Sequence, residues 1–308
     1  MPRIGDVVDG RYEVLAKLGS GSHGTVYLAY DKRRSQKVAL KLLDSLEEKD
    51  LLRREAKALV TLRHSNNVPR ILKYKEDEYV AMEYVRGGTL YDYLRARRRP
   101  LVDLRRIFYS LLTTLAEIHE HDMVHADIKP ENILMRSTDD VLIADFGLVQ
   151  STRHAMRKYV QTRWYRAPEV MLEMPYDGRA DVWSLGCVLM AAIEGHSRSF
   201  LPSQSTPAQM RDIVYAVDDP LRHENMRAYA PGVEQRYPRG PLLLADRVGD
   251  AVRRRNLYYR EQVDTQTREQ LEDLMVCMLA VNPEERLTAA EAAQHPFFAC
   301  VCGVDETE

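Results

Sequence analysis

His125-Ala126-Asp127-Ile128-Lys129-Pro130-Glu131-Asn132-Ile133-Leu134, followed by Val141-Leu142-Ile143-Ala144-Asp145-Phe146-Gly147, is the stretch that decides how this chain is read. Two short apolar runs, Ile133-Leu134 and Val141-Ala144, carry a carboxylate, a cation, a carboxamide and a second carboxylate in fixed order. Phosphoryl transfer asks for few protein groups: a carboxylate to orient the attacking hydroxyl, oxygen ligands for Mg²⁺, and cations to hold the phosphates. Asp127 can supply the first, Asn132 and Asp145 are hard oxygen ligands suited to Mg²⁺, and Lys129 is a cation beside Asp127. A polar loop of turn formers has the same composition, so the weight falls on what accompanies it upstream.

Upstream stands Gly19-Ser20-Gly21-Ser22-His23-Gly24, with Val26 behind it. Glycines at such positions let backbone N–H groups approach phosphates without a side-chain clash. A dinucleotide-binding fold shows a similar pattern but continues into a helix. Here Thr25-Val26-Tyr27 follows, a β-branched and aromatic run that reads as a strand, so the pattern suits a hairpin lying over a nucleotide. Lys41 ends the apolar run Val38-Ala39-Leu40. Alone it would be a snorkelling surface lysine. The helix predicted from about Leu46 to Arg63 changes that, because Glu55 shares its apolar stripe with Leu52, Leu59 and Leu62. A carboxylate on a buried face needs a partner, and Lys41 is the obvious one. The interval is short, so Glu47 or Glu48 stay as alternatives; the shared face favours Glu55.

Around these motifs the chain divides into strands first and helices after, an α+β pattern of segregated lobes. Tyr12–Lys17, Thr25–Tyr30, Lys37–Leu43, Ile71–Tyr74 and Tyr79–Glu83 read as strands, and helical periodicity dominates from Thr89 onward. Arg86-Gly87-Gly88 marks the boundary, giving one domain over 1–308: a small lobe over 11–85, a larger one over 86–298, and a tail over 299–308. Residues 218–262, rich in Pro, Arg and Gly, read as an irregular surface insertion, while Val182–Ile193 reads as a buried helix. The basic runs Arg95 to Arg99 and Arg253 to Arg255 read as solvated faces. With 45% hydrophobic and 29% charged residues and a net charge of −2, no global field directs the chain to nucleic acid or membrane. No apolar run reaches the ~18 residues of a membrane span, and Met1–Gly10 lacks the pattern of a secretory leader. The four cysteines show no zinc spacing and are expected as reduced thiols inside a cell, cytoplasmic or nuclear; Cys300 and Cys302 could form a redox pair, but the bland reading is preferred.

The ordered set resembles the eukaryotic protein kinases from about Tyr12 to Phe298. Arg166-Ala167-Pro168-Glu169, Asp181-Val182-Trp183-Ser184-Leu185-Gly186, Arg286 in Asn282-Pro283-Glu284-Glu285-Arg286, and His295-Pro296-Phe297-Phe298 extend the likeness. It implies a two-lobed fold, a small antiparallel sheet with one helix above a mainly helical lobe, with ATP and Mg²⁺ as cofactors. It implies that Leu18 through Gly24 (Leu18, Gly19, Ser20, Gly21, Ser22, His23, Gly24) cover the nucleotide, that Val26, Ala39 and Leu134 sandwich adenine, and that Met82 is a gatekeeper before a hinge at Glu83–Val85. Lys41, paired with Glu55, would contact phosphates; Asn132 and Asp145 would hold Mg²⁺; Asp127 and Lys129 would serve the hydroxyl and the γ-phosphoryl group. Glu169 would pair with Arg286. The lysine and proline of Asp127-Ile128-Lys129-Pro130 mark the serine/threonine type. Thr162-Arg163-Trp164-Tyr165-Arg166 resembles the CMGC branch of mitogen-activated, cyclin-dependent and dual-specificity tyrosine-regulated kinases, which implies proline after the phosphoacceptor. The likeness implies a protein substrate, leaves room for a regulatory protein partner, and suits a monomer.

The chain departs from the family at Ala126, where most members carry an arginine that gathers an activation-segment phosphate; activity is therefore expected to depend less on such phosphorylation. Tyr159 stands where relatives carry phosphotyrosine, with Arg163 and Arg166 as candidate partners; an ordinary packed tyrosine is the equal alternative. Thr162 is expected to contact Asp127 and Lys129. A pseudokinase scaffold should have lost one of Lys41, Asp127, Asn132 or Asp145, and a small-molecule kinase should lack the Ala167-Pro168-Glu169 and Asp181–Gly186 elements; this chain keeps them all.

Overall fold

The computed structural model describes residues 1–21, 24–45, 49–152, 160–197, 199, 201–217 and 244–301. The small lobe is an antiparallel sheet of β1 (Val7–Val8), β2 (Tyr12–Gly21), β3 (Gly24–Asp31), β4 (Gln36–Leu42), β5 (Ile71–Lys75) and β6 (Tyr79–Glu83), in the order β1-β2-β3-β4-β6-β5. Alternation along a strand sends successive side chains to opposite faces. In β4, Val38 and Leu40 join Tyr12, Ala29, Tyr79 and Ala81 in an outer apolar cluster. Ala39 and Lys41 must then face the other way, toward α1 (Lys49–Thr61) and the cleft. Gly21 pairs with Gly24 at the hairpin tip, and Gly24 has φ +106°, a backbone only glycine takes without strain. Strand β3 runs directly from Gly24, as the sequence predicts. The described helix α1 starts at Lys49; the predicted start at Leu46 lies outside the described residues.

The larger lobe holds α2 (Leu90–Ala96), α3 (Leu101–Glu120), β7 (Met123–Val124), β8 (Ile133–Met135), β9 (Val141–Ile143), β10 (Gln150–Ser151), α4 (Pro168–Met171), α5 (Arg179–Glu194), α6 (Thr206–Val217), α7 (Leu244–Tyr259), α8 (Thr265–Met278) and α9 (Ala289–Ala293). Thr89 and Asp92 form a reciprocal capping box on α2. Helix α5 is buried on every side from Ala180 to Ile193, the signature of a central core helix. Gly186 allows this: a Cβ there would stand 2.9 Å from a Leu279 methyl. Among the described residues no helix is long and apolar enough to cross a membrane.

Two expectations need correction. The stretch 218–262 is not irregular throughout, since α7 occupies 244–259 and buries Leu244, Val248, Ala251 and Val252 against the core; residues 218–243 lie outside the described residues. The arginine runs are not simply solvated. Arg253 and Arg254 are exposed, but Arg255 is fully buried. Its guanidinium donates to Ile193 O and Ala192 O (both 3.1 Å), to Arg99 O (2.9 Å) and to Glu261 Oε2 (2.7 Å). Arg98 also donates to Ile193 O, at 2.9 Å. These cations sit on the open carbonyls of the α5 C-terminus, where the helix dipole favours positive charge. Arg99 is buried and stacks on the Tyr93 ring at 3.4 Å. The Cys187 thiol is buried and pushed up by desolvation, Cys277 is half-buried and Cys300 exposed; Cys302 lies outside the described residues.

Glu169 and Arg286 meet in a two-pronged pair at 2.6 and 3.0 Å, both buried, with the guanidinium over Trp183. Replacing one partner strands the other in a dry site. Arg286→Met is expected to destabilise the fold by about 3–5 kcal/mol in chemical denaturation, whereas Lys32→Ala, which removes a solvent-exposed pair with Glu13, should cost no more than about 1 kcal/mol.

Candidate active site

Lys41 emerges from β4 into the cleft and is buried, 3% exposed. Its Nζ lies 2.6 Å from Glu55 Oε2 and 2.7 Å from Asp145 Oδ1. Burial alone would push the ammonium pKa down, but the two carboxylates together outweigh that and hold it above the ordinary lysine value. The pairing expected between Lys41 and Glu55 is present; Glu47 and Glu48 lie outside the described residues. Asp145 takes a left-handed backbone (φ 67°, ψ 69°) that aims its carboxylate at Lys41 and opens the turn Phe146–Leu148. Phe146 is fully buried, edge-on to His125 at 4.9 Å, and the turn packs under α1. One lysine thus ties together the sheet, the helix and the large lobe.

The loop between β7 and β8 is held from below. Asp181, at the start of α5 and fully buried, accepts the backbone N–H of His125 (2.8 Å) and of Ala126 (2.9 Å). Its Oδ2 also lies 3.0 Å from His119 Nε2. These bonds hold Ala126 in the left-handed region, φ +63°, against a steric cost for a residue with a Cβ. His125 accepts the Asp127 N–H on Nδ1 (3.2 Å) and therefore donates from Nε2 to Ala144 O (3.1 Å), fastening this loop to the Asp145 strand.

Asp127 is 2% exposed, and its carboxylate gathers four donors. Lys129 Nζ (2.6 Å) and Asn132 Nδ2 (3.0 Å) reach Oδ2, while Thr162 Oγ1 (2.7 Å) and Thr162 N (3.1 Å) reach Oδ1. Lys129 also reaches Thr162 Oγ1 at 3.2 Å. The expected contact of Thr162 with Asp127 and Lys129 is therefore present. The Asn132 amide nitrogen is committed to Asp127, to its backbone oxygen at 2.9 Å as well as its carboxylate. That turns Oδ1, the oxygen end of the amide, away from Asp127. That oxygen and those of the Asp145 carboxylate are the hard donors a Mg²⁺ ion takes. Mg²⁺ commonly takes one or two protein oxygens and completes its shell with substrate phosphates and water, so this donor set fits it.

Above the cleft, a Cβ at Gly19 or Gly21 would meet open space; Leu18 and Ser20 are exposed beside them, and Ser22 and His23 lie outside the described residues. Val26 and Ala39 are half-buried on paired strands, with Ala39 opposite Met82. Met82 and Val85 are buried; Glu83 and, on the cleft floor, Leu134 are half-buried. Glu83 Oε1 accepts from Arg136 Nη2 at 2.8 Å, which fixes the strand end that leads into the linker. Gly87 then runs against β8: a Cβ there would lie 1.8 Å from Met135 O, and Gly88 O accepts the Met135 N–H at 2.9 Å.

Tyr159 lies outside the described residues. Its two candidate partners are engaged with backbone. Arg163 Nη1 donates to Gln204 O at 2.8 Å, and buried Arg166 donates from Nε to Val160 O and from Nη2 to Gln161 O, both at 2.6 Å. Sequence reasoning passed over Gln161, which is buried with φ +67°, and did not see what Asp181 holds. A carboxylate opening an otherwise apolar helix was the signal for Asp181; nothing local marks Gln161.

Residues 12–298 match the family model described as protein kinase domain. The chain is similar to "Extracellular signal-regulated kinase 2" of Dictyostelium discoideum, 30% identical over 93% of this chain and 79% of the relative. It is also similar to "Putative cyclin-dependent kinase F-2" of Oryza sativa subsp. japonica, 32% identical over 94% and 90%. A third relative is "Mitogen-activated protein kinase HOG1A" of Wallemia ichthyophaga, 31% identical over 95% and 78%.

Because Lys41 has two carboxylates around it, buried Glu55 and half-buried Asp145, loss of one should misplace the ammonium. Glu55→Gln is expected to lower kcat/KM for nucleotide turnover by about 100-fold, corresponding to roughly 2.7 kcal/mol. Glu47→Gln and Glu48→Gln should each stay within about twofold, because the Lys41 ammonium is already paired with Glu55 and Asp145. Steady-state kinetics on the three variants checks the assignment.

Proposed function

The chain belongs to the protein kinase family, and we propose that it moves the γ-phosphoryl group of ATP onto serine or threonine hydroxyls that precede proline in other proteins. The single observation that carries the enzyme reading is Lys41 closed on both Glu55 and Asp145, because it joins groups from three distant elements into one assembled cleft. The rival reading, a scaffold with this fold, should have lost one of Lys41, Asp127, Asn132 or Asp145, and all four are present.

In this reading adenine lies between Val26, Ala39 and Leu134, and the backbone of Glu83–Val85 offers its hydrogen bonds. Lys41 holds the α and β phosphates. Asn132 and Asp145 hold Mg²⁺, which when bound offsets the charge on the phosphate oxygens. Asp127, oriented by Lys129, Asn132 and Thr162, aligns the incoming hydroxyl and takes its proton late. Lys129 reaches the γ-phosphoryl oxygens as they move. Nearly all of the rate then comes from positioning and electrostatics.

The preference for proline is supported by the platform beside Thr162. Arg166 occupies the carbonyls of Val160 and Gln161, and the left-handed turn at Gln161 directs the chain away. A substrate residue lying there would find no carbonyl for its own N–H. An unsatisfied buried N–H costs about 1–3 kcal/mol, and proline alone lacks the donor.

The test is transfer of labelled γ-phosphate to peptides differing after the acceptor serine. Proline should exceed alanine by about 10-fold or more in kcat/KM, and N-methylalanine, which also lacks the N–H, should behave like proline. Equal rates for alanine and proline would end the proline reading. Asp127→Asn should lose about 10³-fold or more in kcat while retaining ATP binding; transfer unaffected by that change would end the assignment of Asp127.

A further inference from the structure

Residues 160–162, just before Arg163, are fastened to the core by neutral hydrogen bonds and a buried guanidinium. Gln161 carries the fastening. Its side chain is buried: Oε1 accepts the Ala167 N–H at 2.9 Å, and Nε2 donates to Ala180 O at 3.0 Å and to Ser184 Oγ at 3.1 Å. Ser184 Oγ in turn donates to Tyr165 O at 2.7 Å. One carboxamide thus joins both ends of the 161–167 turn to the first turns of α5. The backbone of Gln161 is left-handed, a conformation that costs a residue with a Cβ about 1–2 kcal/mol relative to the right-handed form. A position that bears this cost without being glycine, asparagine or aspartate is held there by its surroundings.

The next residue gives the position its importance. Thr162 contributes both its N–H and its hydroxyl to Asp127 Oδ1. Wherever Gln161 is anchored, Thr162 is aimed, and Thr162 sets one side of the Asp127 carboxylate. Among the described residues, the two arginines of the turn are engaged with backbone. Arg166 serves two carbonyls, Arg163 serves Gln204 O, and the residue beside Asp127 is Ala126, whose methyl is fully buried. A phosphate that ordered this segment would need cations converging on it.

We propose that Gln161 is a positioning residue that locks the 160–167 turn onto α5 through neutral hydrogen bonds, so that the site around Asp127 is assembled without phosphorylation of the chain. The inference rests on the kinase reading for its kinetic consequence, but its structural content stands apart from it. In mechanism, the carboxamide replaces a conditional electrostatic clamp with a permanent one. Regulation then has to act elsewhere than on this turn.

The experiment uses the full chain, treated with phosphatase and shown by mass to carry no phosphate. Hydrogen exchange should find the amides of Val160 to Ala167 protected, and rapid exchange there would overturn the proposal whether or not the protein is active. Phosphate-free wild type should keep its kcat within about twofold of untreated protein; a loss of about 10-fold or more would also overturn it. Gln161→Gly keeps the left-handed backbone and removes only the carboxamide. It should open the turn to exchange and lower kcat by about 10- to 100-fold with the KM for ATP unchanged, a split that general loss of stability would not give. Full kcat in Gln161→Gly overturns the proposal. Should that variant fail to fold, the two wild-type arms still decide. Wild type that transfers nothing yet shows the protected turn refutes the kinase reading and leaves the lock standing.

Discussion

The Asp181 carboxylate is the constraint on which the rest of the site depends. It is wholly withdrawn from water, and the cost of burying a carboxylate is offset by the His125 and Ala126 N–H groups and the His119 ring that converge on it. Two of those donors are backbone N–H groups, of His125 and Ala126, so the carboxylate fixes main chain rather than a movable side chain. From that anchor the order spreads outward. His125 ties the loop to Ala144, and Ala144 precedes Asp145. Asp127 follows Ala126 and collects Lys129, Asn132 and Thr162. The anchor itself sits on α5, a helix that is buried all round, capped by guanidinium groups at its far end and braced by Arg286 against Glu169. The groups around Asp127 are therefore anchored to a helix buried on every side from Ala180 to Ile193, an arrangement that suits positioning chemistry.

The small lobe is attached to this frame through charge. Its sheet has two apolar faces, and strand alternation leaves Lys41 on the one that looks into the cleft. There it meets a carboxylate from the small lobe and one from the large lobe. A single ammonium cannot satisfy both unless α1 and the Phe146 turn are packed together, so the ion pairs report lobe closure as well as stabilising it. A buried pair of this kind contributes little net stability, because desolvation consumes most of the attraction. Its value here lies in geometry.

The fold and most of the site were legible because each motif was explained by a local requirement. The glycines needed open space over a phosphate, Glu55 needed a partner on a buried stripe, and Asp127, Asn132 and Asp145 kept an order that turn chemistry alone does not demand. What escaped notice was long-range. Arg255 reads as one of three exposed arginines until the α5 carbonyls of Ala192 and Ile193 claim it; its neighbours Arg253 and Arg254 remain in water. The helix Leu244–Tyr259 was hidden by the composition of the segment around it, although its apolar residues recur at helical spacing. Gln161 has no local signal at all, since its partners, Ala167, Ala180 and Ser184, gather only in the folded chain.

The contact of Gly87 with Met135 has a mechanical meaning. The linker between the lobes touches the floor strand so closely that no Cβ fits, and Gly88 and Met135 are hydrogen-bonded. The linker's C-terminal half and the strand bearing Leu134 must therefore travel as one body. Any pivot between the lobes is confined to the few residues on the N-terminal side of Gly87. A displacement of the ceiling formed by β2, β3 and β4 would leave the linker's C-terminal half and the floor strand together.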